Sequence, residues 1–249
     1  ENISQKYYSL TTIDYPHIPL QAVFLPAELK LVSLDLQIPR RQIGYIMGSG
    51  DDIPGVLSQL GFDITLLTEE NFKQHNLENF DVILTGIRAY NTQKWLTTVQ
   101  AELLNFVKNG GTMVVQYAVT RNMILKDLGP YPFNISHDRV SVESAPVELL
   151  DPNHPILNTP NRITREDFDG WVQERGLYFA DEWDPVFQTP LGSADPGESL
   201  KTGGLLYTTY GKGVFIYTGF SFFRQLPAGV TGAIKLFVNL ICAENVEHE

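Results

Sequence analysis

From residue 42 onward, short apolar runs alternate with segments in which the apolar residues recur at helical spacing. The apolar runs at 42–47, 62–67, 81–85 and 112–117 predict four buried strands. The segments at 53–60 and 92–108 predict helices between them. Because strands separated by helices of this length pair in parallel with right-handed crossovers, the sequence predicts a doubly wound, mainly parallel α/β sheet.

The remaining segments carry weaker patterns. Residues 1–41 are predicted to be an extended lead-in, with stiff prolines at Tyr15–Pro19 and an edge strand at 27–36, where apolar and polar residues alternate. Residues 42–249 are predicted to form a single α/β domain. It ends in a β-rich C-terminal extension, with a hairpin at 203–218 and a final helix at 229–243.

Composition and charge exclude several classes of function. The net charge is −11 and the pI about 4.9, which argues against nucleic acid as a partner. The apolar runs are far shorter than the roughly 20 residues of a membrane span. Cys242 is interpreted as a buried apolar residue, and no zinc-ligand spacing occurs, so no metal or cofactor is expected. The chain starts without Met or a signal-peptide pattern, and we interpret it as a piece of a larger protein.

Ligands of parallel sheets bind beyond the carboxyl ends of the strands, where three loops are expected to meet. In the first, Asp51 and Asp52 are candidates for ligand binding, although two acids before a helix equally suit a turn that complements the helix dipole. In the second, Arg88 and Tyr90 could bind a carboxylate or a sugar hydroxyl, or Arg88 could form a structural ion pair. Tyr117 begins the third loop.

A segment at 167–178 is dense in acids and aromatic residues. Trp171 and Glu174 are candidates for the edge of a sugar-binding cleft, and an aromatic turn packed against the sheet explains Trp171 equally well. The acids Asp169 and Glu174 could also act as the pair of a glycosidase. His154, in a turn with prolines on both sides, is interpreted as a turn residue more than as a catalytic base.

The end of the fourth predicted strand decides whether a nucleophile is expected. α/β enzymes place a nucleophile on the bend after such a strand, and here the chain offers Gln116, Tyr117 and Ala118. None is an activated nucleophile of the usual kind, no Gly-x-Ser-x-Gly motif occurs, and Cys242 lies in the terminal helix. No catalytic residue is therefore predicted.

Seven further stretches of the chain form distinctive motifs. They cover Ile43–Asp52, Gly86–Asn91, Gly110–Tyr117, Leu128–Phe133, Asn158–Thr164, Gly170–Tyr178 and Arg224–Gly229. These motifs resemble the C-terminal region of bacterial LmbE-like (PIG-L family) deacetylase proteins. The resemblance implies a flavodoxin-like, class I glutamine-amidotransferase-like domain downstream of a zinc-dependent N-acetylglucosaminyl deacetylase domain, in a protein that is periplasmic or secreted. Asp14–His17 does not match the zinc motif of the deacetylase, so its metal chemistry is not carried over.

The resemblance also bears on catalysis. The cysteine of the amidotransferase-like superfamily would fall at Tyr117, and its His-x-Glu pair is missing, since His248 is followed directly by Glu249. Related trehalose-utilisation (ThuA-like) proteins suggest a sugar ligand. We therefore expect an accessory domain that binds carbohydrate or organises the neighbouring deacetylase domain. The alternatives are a hydrolase acting on a glycoside or amide through carboxylates, and a purely structural interaction module.

Overall fold

A computed structural model of the chain describes residues 6–74 and 76–245. Contacts divide the chain into two compact units, which separate between Leu34 and Asp35. No helix within the described residues is long and apolar enough to cross a bilayer.

The first unit is an antiparallel hairpin. Its strands are Tyr8–Ile13 (β1) and Gln21–Pro26 (β2). The expected extended segment at Tyr15–Pro19 instead forms a turn, in which the Ile18 amide donates to the Tyr15 carbonyl at 3.1 Å. Proline at the second position of a turn is favoured because its φ is already set.

The edge strand predicted at 27–36 is wrong, because these residues have no regular structure. The side chains of Leu29 and Leu31 are 83% and 86% exposed, so the alternating pattern there does not produce a half-buried strand. All six strands of the described central sheet come from residues after 41.

The second unit contains twelve described strands and five described helices. The strands are Gln42–Ile46 (β3), Asp63–Leu66 (β4), Val82–Thr85 (β5), Thr112–Gln116 (β6), Phe133–Ile135 (β7), Arg139–Val140 (β8), Val147–Leu149 (β9), Gly176–Leu177 (β10), Ala180–Trp183 (β11), Leu191–Ser193 (β12), Leu205–Tyr210 (β13) and Gly213–Thr218 (β14). The helices are Ile53–Gln59 (α1), Ala89–Thr92 (α2), Leu96–Lys108 (α3), Phe222–Gln225 (α4) and Thr231–Ile241 (α5). Short 3₁₀ turns cover Phe72–Gln74, Leu77–Asn79, Pro155–Leu157 and Arg165–Phe168.

Six strands form the central sheet in the order β13-β14-β6-β5-β3-β4. All neighbours pair in parallel except β13 and β14, which form the predicted hairpin. The α/β class and the four predicted parallel strands are thus confirmed. The chain goes from β3 outward to β4 and returns to β5 on the other side of β3. The strand order therefore reverses between β3 and β5, where sheets of this kind leave a crevice at their carboxyl ends.

The helix predicted at 92–108 begins later in the structure, and a separate short helix precedes it. The short helix α2 ends before Gln93, whose ψ of 85° breaks the helical backbone, and α3 begins at Leu96. The buried face of α3 carries Leu96, Val99, Leu103 and Val107 at helical spacing, as the pattern indicated.

The predicted β-rich extension also takes a different form. Most of the short strands lie between β6 and β13, paired as β7–β11, β8–β10 and β9–β12. The hairpin instead completes the central sheet, because β14 pairs with β6. Gly176 of β10 bridges to Phe220 directly after β14, which brings residues 173–178 to the carboxyl end of the sheet.

Candidate functional site

An aromatic cluster surrounds Tyr117, the first residue after β6. The ring of Tyr117 is 3% exposed and stacks on Tyr178, with centroids 5.8 Å apart and planes 7° from parallel. Phe223 of α4 packs against it at 5.5 Å. Tyr178 and Phe223 are both half-buried, so they offer aromatic surface to solvent while Tyr117 supports them from below.

Three charged side chains accompany these rings. The Arg88 guanidinium carbon lies 5.9 Å from the centre of the Tyr117 ring, and that of Arg224 lies 4.7 Å from the centre of Phe223. Arg224 also donates from Nε to Glu174 at 2.8 Å. We call this group the Tyr117 patch. It comprises Arg88, Tyr117, Glu174, Tyr178, Phe223 and Arg224.

The hydroxyl of Tyr117 is protonated at neutral pH. Burial raises the pKa of the Tyr117 phenol above its ordinary value of 10, and the nearby Arg88 only partly opposes that rise. A phenol with a raised pKa is a poor nucleophile, because little phenolate is present.

Unfavourable backbone conformations concentrate in the loops at this end of the sheet. Within the described residues, Arg88, Asn122, Gln173 and Tyr178 are the non-glycine residues with positive φ, at 58°, 59°, 66° and 56°. The left-handed region costs an L residue roughly 1–2 kcal/mol, less for Asn, and such conformations tend to cluster at functional sites. Tyr117 is not in this group, so the bend lacks the strained conformation typical of a nucleophile elbow.

Hydrogen bonds hold these conformations in place. The Arg88 amide donates to the Tyr117 carbonyl at 2.8 Å, which connects the loops after β5 and β6. The buried Tyr217 hydroxyl donates to the Tyr178 carbonyl at 2.6 Å, and the Gln173 amide donates to Glu143 at 2.7 Å. The patch is therefore built on fixed backbone.

Asp51 lies in a separate buried polar cluster. Its carboxylate accepts hydrogen bonds from the Tyr45 hydroxyl at 2.6 Å and from the amides of Ile53 and Ile87 at 3.2 and 3.3 Å. Burial raises the pKa of Asp51 even though these hydrogen bonds oppose the rise. The carboxylate thus connects the start of α1 to the loop after β5. The neighbouring Asp52 is exposed and makes no side-chain bond that caps α1.

Tyr90 and Trp171 were predicted to belong to the ligand cleft, and the structure corrects both placements. Tyr90 is 1% exposed, and its hydroxyl donates to Gln100 at 2.8 Å inside the core. Trp171 is 3% exposed, packs against Phe220, and donates from its ring nitrogen to the Asp167 carbonyl. An apolar body with a single polar group suits burial, and the sequence did not show which way either ring points.

The structure adds residues to the site that the sequence analysis did not select. Tyr178, Phe223 and Arg224 belong to the patch, and His137 lies at its edge, with its ring 5.7 Å from that of Tyr178. The one available signal was position, since Phe223 and Arg224 closely follow a predicted strand of the sheet.

Other reactive side chains lie elsewhere or are held in structural bonds. Cys242 is buried, which raises the pKa of its thiol to about 11. The carbonyl of Ala243, the residue after Cys242, accepts a hydrogen bond from Thr112 at the start of β6, whereas Tyr117 follows the end of that strand. The length of the strand separates Thr112 from Tyr117 by about 16 Å, so Cys242 lies far from Tyr117.

His154 is held in a structural role. Its Nδ1 accepts from the Ile156 amide at 3.3 Å, and its Nε2 contacts the Gln188 side-chain oxygen at 2.7 Å. Burial lowers the pKa of His154, so its neutral form is favoured. His248 and Glu249, considered above, lie outside the described residues, as does His75. Among those described, no group of three or more His, Cys, Asp or Glu side chains is suited to hold a metal ion.

A cavity of about 1040 Å³ lies at the opposite end of the sheet from the patch, beside the residues that precede the parallel strands. Arg41, Asp81, Thr112 and Glu244 line it. Two of its charged groups are held in structural bonds, since Arg41 contacts Glu244 and Asp81 accepts from the Gln42 amide at 2.7 Å. Volume alone therefore does not indicate chemistry there.

No protein-family model matches the chain, and no curated protein does either. Among solved structures, it is similar to a Thermoplasma acidophilum protein provisionally assigned as a GMP synthase component, with 9% identity and a TM-score of 0.49 over 82% of this chain and 96% of that one. It is also similar to the β-galactosidase of Bacillus circulans sp. alkalophilus, with 13% identity and a TM-score of 0.41 over 79% and 31% of the two chains. For the β-galactosidase of Rahnella sp. R3 the identity is 12% and the TM-score 0.42, over 80% and 32%.

The chain spans about a third of the length of these β-galactosidases. With identities and TM-scores this low, the likenesses establish neither a family nor an activity for this chain.

Proposed function

We propose that this chain is a non-catalytic carbohydrate-binding domain whose ligand site is the Tyr117 patch. We further propose that it has the doubly wound, flavodoxin-like architecture of class I glutamine amidotransferases and is an accessory domain of a LmbE-like deacetylase protein. The observation that carries the binding proposal is the stack of Tyr117 and Tyr178, held at the carboxyl end of the sheet with two arginines beside it.

Carbohydrate fits the chemistry of the patch. A sugar ring has an apolar face, which can pack on the half-exposed rings of Tyr178 and Phe223. Its hydroxyls need planar donors and acceptors around that face, and the guanidinium groups and the Glu174 carboxylate supply both. The rigid backbone also limits the entropy lost on binding.

Three features support a non-catalytic role. The residue in the position of a nucleophile is a phenol with a raised pKa. Tyr117 lacks the strained backbone of a nucleophile elbow. Glu174, one acid of the alternative glycosidase pair, is bound to Arg224, which leaves it less available as a general base.

A glycan-array screen followed by calorimetry on a bound glycan tests this function. Tyr178→Asn removes the exposed ring but keeps a residue that tolerates positive φ, so the loop is retained. We expect the dissociation constant to rise tenfold or more. Tyr210→Asn is the matched control, because Tyr210 is also a half-buried tyrosine but packs against Tyr131 in another aromatic group. It should leave binding unchanged.

The same samples distinguish the alternatives. Release of ammonia from glutamine, or cleavage of a bound glycan seen by mass spectrometry, would show that the domain is an enzyme. Absence of any bound glycan, or equal effects of the two tyrosine substitutions, would favour the structural interaction module over a binding site at the patch.

A further inference from the structure

We infer that the Tyr117 patch takes an anionic carbohydrate, in which a carboxylate on the sugar ring, as in a uronic acid, binds the Arg88 guanidinium. This inference rests on the proposed function, since it names the class of sugar that the same site would bind.

The first step is that Arg88 carries an unneutralised charge. Its side chain is exposed, and it takes part in none of the four ion pairs among the described residues. Its guanidinium lies over the Tyr117 ring and hydrogen-bonds to the Tyr117 side chain. By contrast, Arg224 is paired with Glu174, and the buried Arg175 donates to the carbonyls of Ala145 and Phe168.

Three acids in the loops around the patch are held by hydrogen bonds. Glu174 accepts from Arg224, Glu143 accepts from the Gln173 amide, and Asp51 is held by Tyr45 and two backbone amides. These three carboxylates are therefore not free to pair with Arg88.

The second step is that the backbone of Arg88 is fixed. Its φ is 58°, its amide donates to the Tyr117 carbonyl, and its carbonyl accepts from the Thr92 hydroxyl at 3.1 Å. The guanidinium is a planar fork that binds a carboxylate through two parallel hydrogen bonds.

The third step concerns the fit of a ring acid. The aromatic surface and the cation belong to one cluster, because Tyr178 and Arg88 both contact the Tyr117 ring. A uronic acid has the same two features, an apolar ring face and a carboxylate attached directly to the ring. A neutral sugar would use the rings but would leave the charge of Arg88 unmatched.

Calorimetry with a trigalacturonate and with its methyl ester tests the inference, since the two probes share the same rings and differ in charge. We expect the acid to bind at least tenfold more tightly than the ester at low salt, and this preference to shrink as sodium chloride screens the charges. Arg88→Gln should abolish the preference and Arg88→Lys should retain part of it. Arg165→Gln, which removes the same charge from an exposed arginine on another element, should keep it.

A circular dichroism melt of each variant first shows that it is folded. Two results overturn the inference but leave the carbohydrate proposal standing. One is equal binding of the acid and the ester to the unaltered chain. The other is a preference for the acid that persists in Arg88→Gln. If neither probe binds, the inference is overturned, and if the glycan array is also empty, the proposed function fails with it.

Discussion

Substitution of Gly48 by alanine tests how closely the loops at the carboxyl end of the sheet approach each other. A Cβ atom at Gly48 would lie 2.0 Å from the Ile87 carbonyl oxygen and 2.6 Å from the Ala89 nitrogen. These are backbone atoms, which cannot rotate away as the end of a side chain can. The loop after β3 and the loop after β5 would therefore have to separate.

The expected loss of stability follows from two contributions. Overpacking of a well-packed site costs about 1–3 kcal/mol. Separation of the loops also weakens the bond from the Ser49 amide to the Ile87 carbonyl, now 2.9 Å long, at about 1 kcal/mol. The sum of about 2–4 kcal/mol corresponds to a Tm lower by roughly 5–15 °C for a domain of this size.

Gly55→Ala is the matched control. Gly55 lies in the first turn of α1, and a Cβ atom there meets no atom of another element within 4 Å. Alanine is favoured over glycine by at most about 0.5–1 kcal/mol within a helix, so this variant should be at least as stable as the unaltered chain.

Urea unfolding followed by far-UV circular dichroism measures both variants. If Gly48→Ala unfolds at the same urea concentration as the unaltered chain, or if Gly55→Ala destabilises it as much as Gly48→Ala does, the argument from loop approach is refuted.

Two further predictions concern buried titratable groups. Burial raises the pKa of Asp51 above its ordinary value of 3.8. Between the pKa of this carboxyl in the unfolded chain and its higher pKa in the folded chain, the folded chain therefore binds more protons. The contribution of Asp51 to stability falls as the pH rises through that range. In urea unfolding, the free energy of unfolding of Asp51→Asn, relative to that of the unaltered chain, should therefore be higher at about pH 7 than at about pH 4. An equal difference at the two pH values would contradict this prediction. Cys242, whose thiol pKa is about 11, should react with an aromatic disulfide reagent at about pH 8 far more slowly in the folded chain than in urea, and equal rates would show that the thiol is accessible.

The sequence predicted the strands in which consecutive residues are all buried. The parallel strands β3, β5 and β6 are buried on both faces, and such strands appear as continuous apolar runs. The pattern at 27–36 misled because alternation alone indicates a strand only where one face can be buried, and Leu29 and Leu31 are exposed.

The site was harder to predict than the fold. Arg88 and Tyr117 were selected because they follow strands of the sheet, and the structure places them in contact. Tyr178 joins them only because Gly176 bridges to Phe220 beside β14, a contact between segments that local patterns do not connect. Conversely, the direction of Tyr90 is set by its bond to Gln100, which no periodicity reveals.

The left-handed backbone at the patch raises the question of whether packing or ligand binding explains its side chains. Glycine would adopt the conformations of Arg88 and Tyr178 without the cost of about 1–2 kcal/mol each. Packing accounts for the tyrosine, because its ring stacks on Tyr117. The side chain of Arg88 is exposed; its guanidinium lies 5.9 Å from the centre of the Tyr117 ring, near the outer limit of a cation–π contact, and hydrogen-bonds to the Tyr117 side chain. These contacts leave the guanidinium without an ionic partner among the described residues, which is the premise of the proposed carboxylate site.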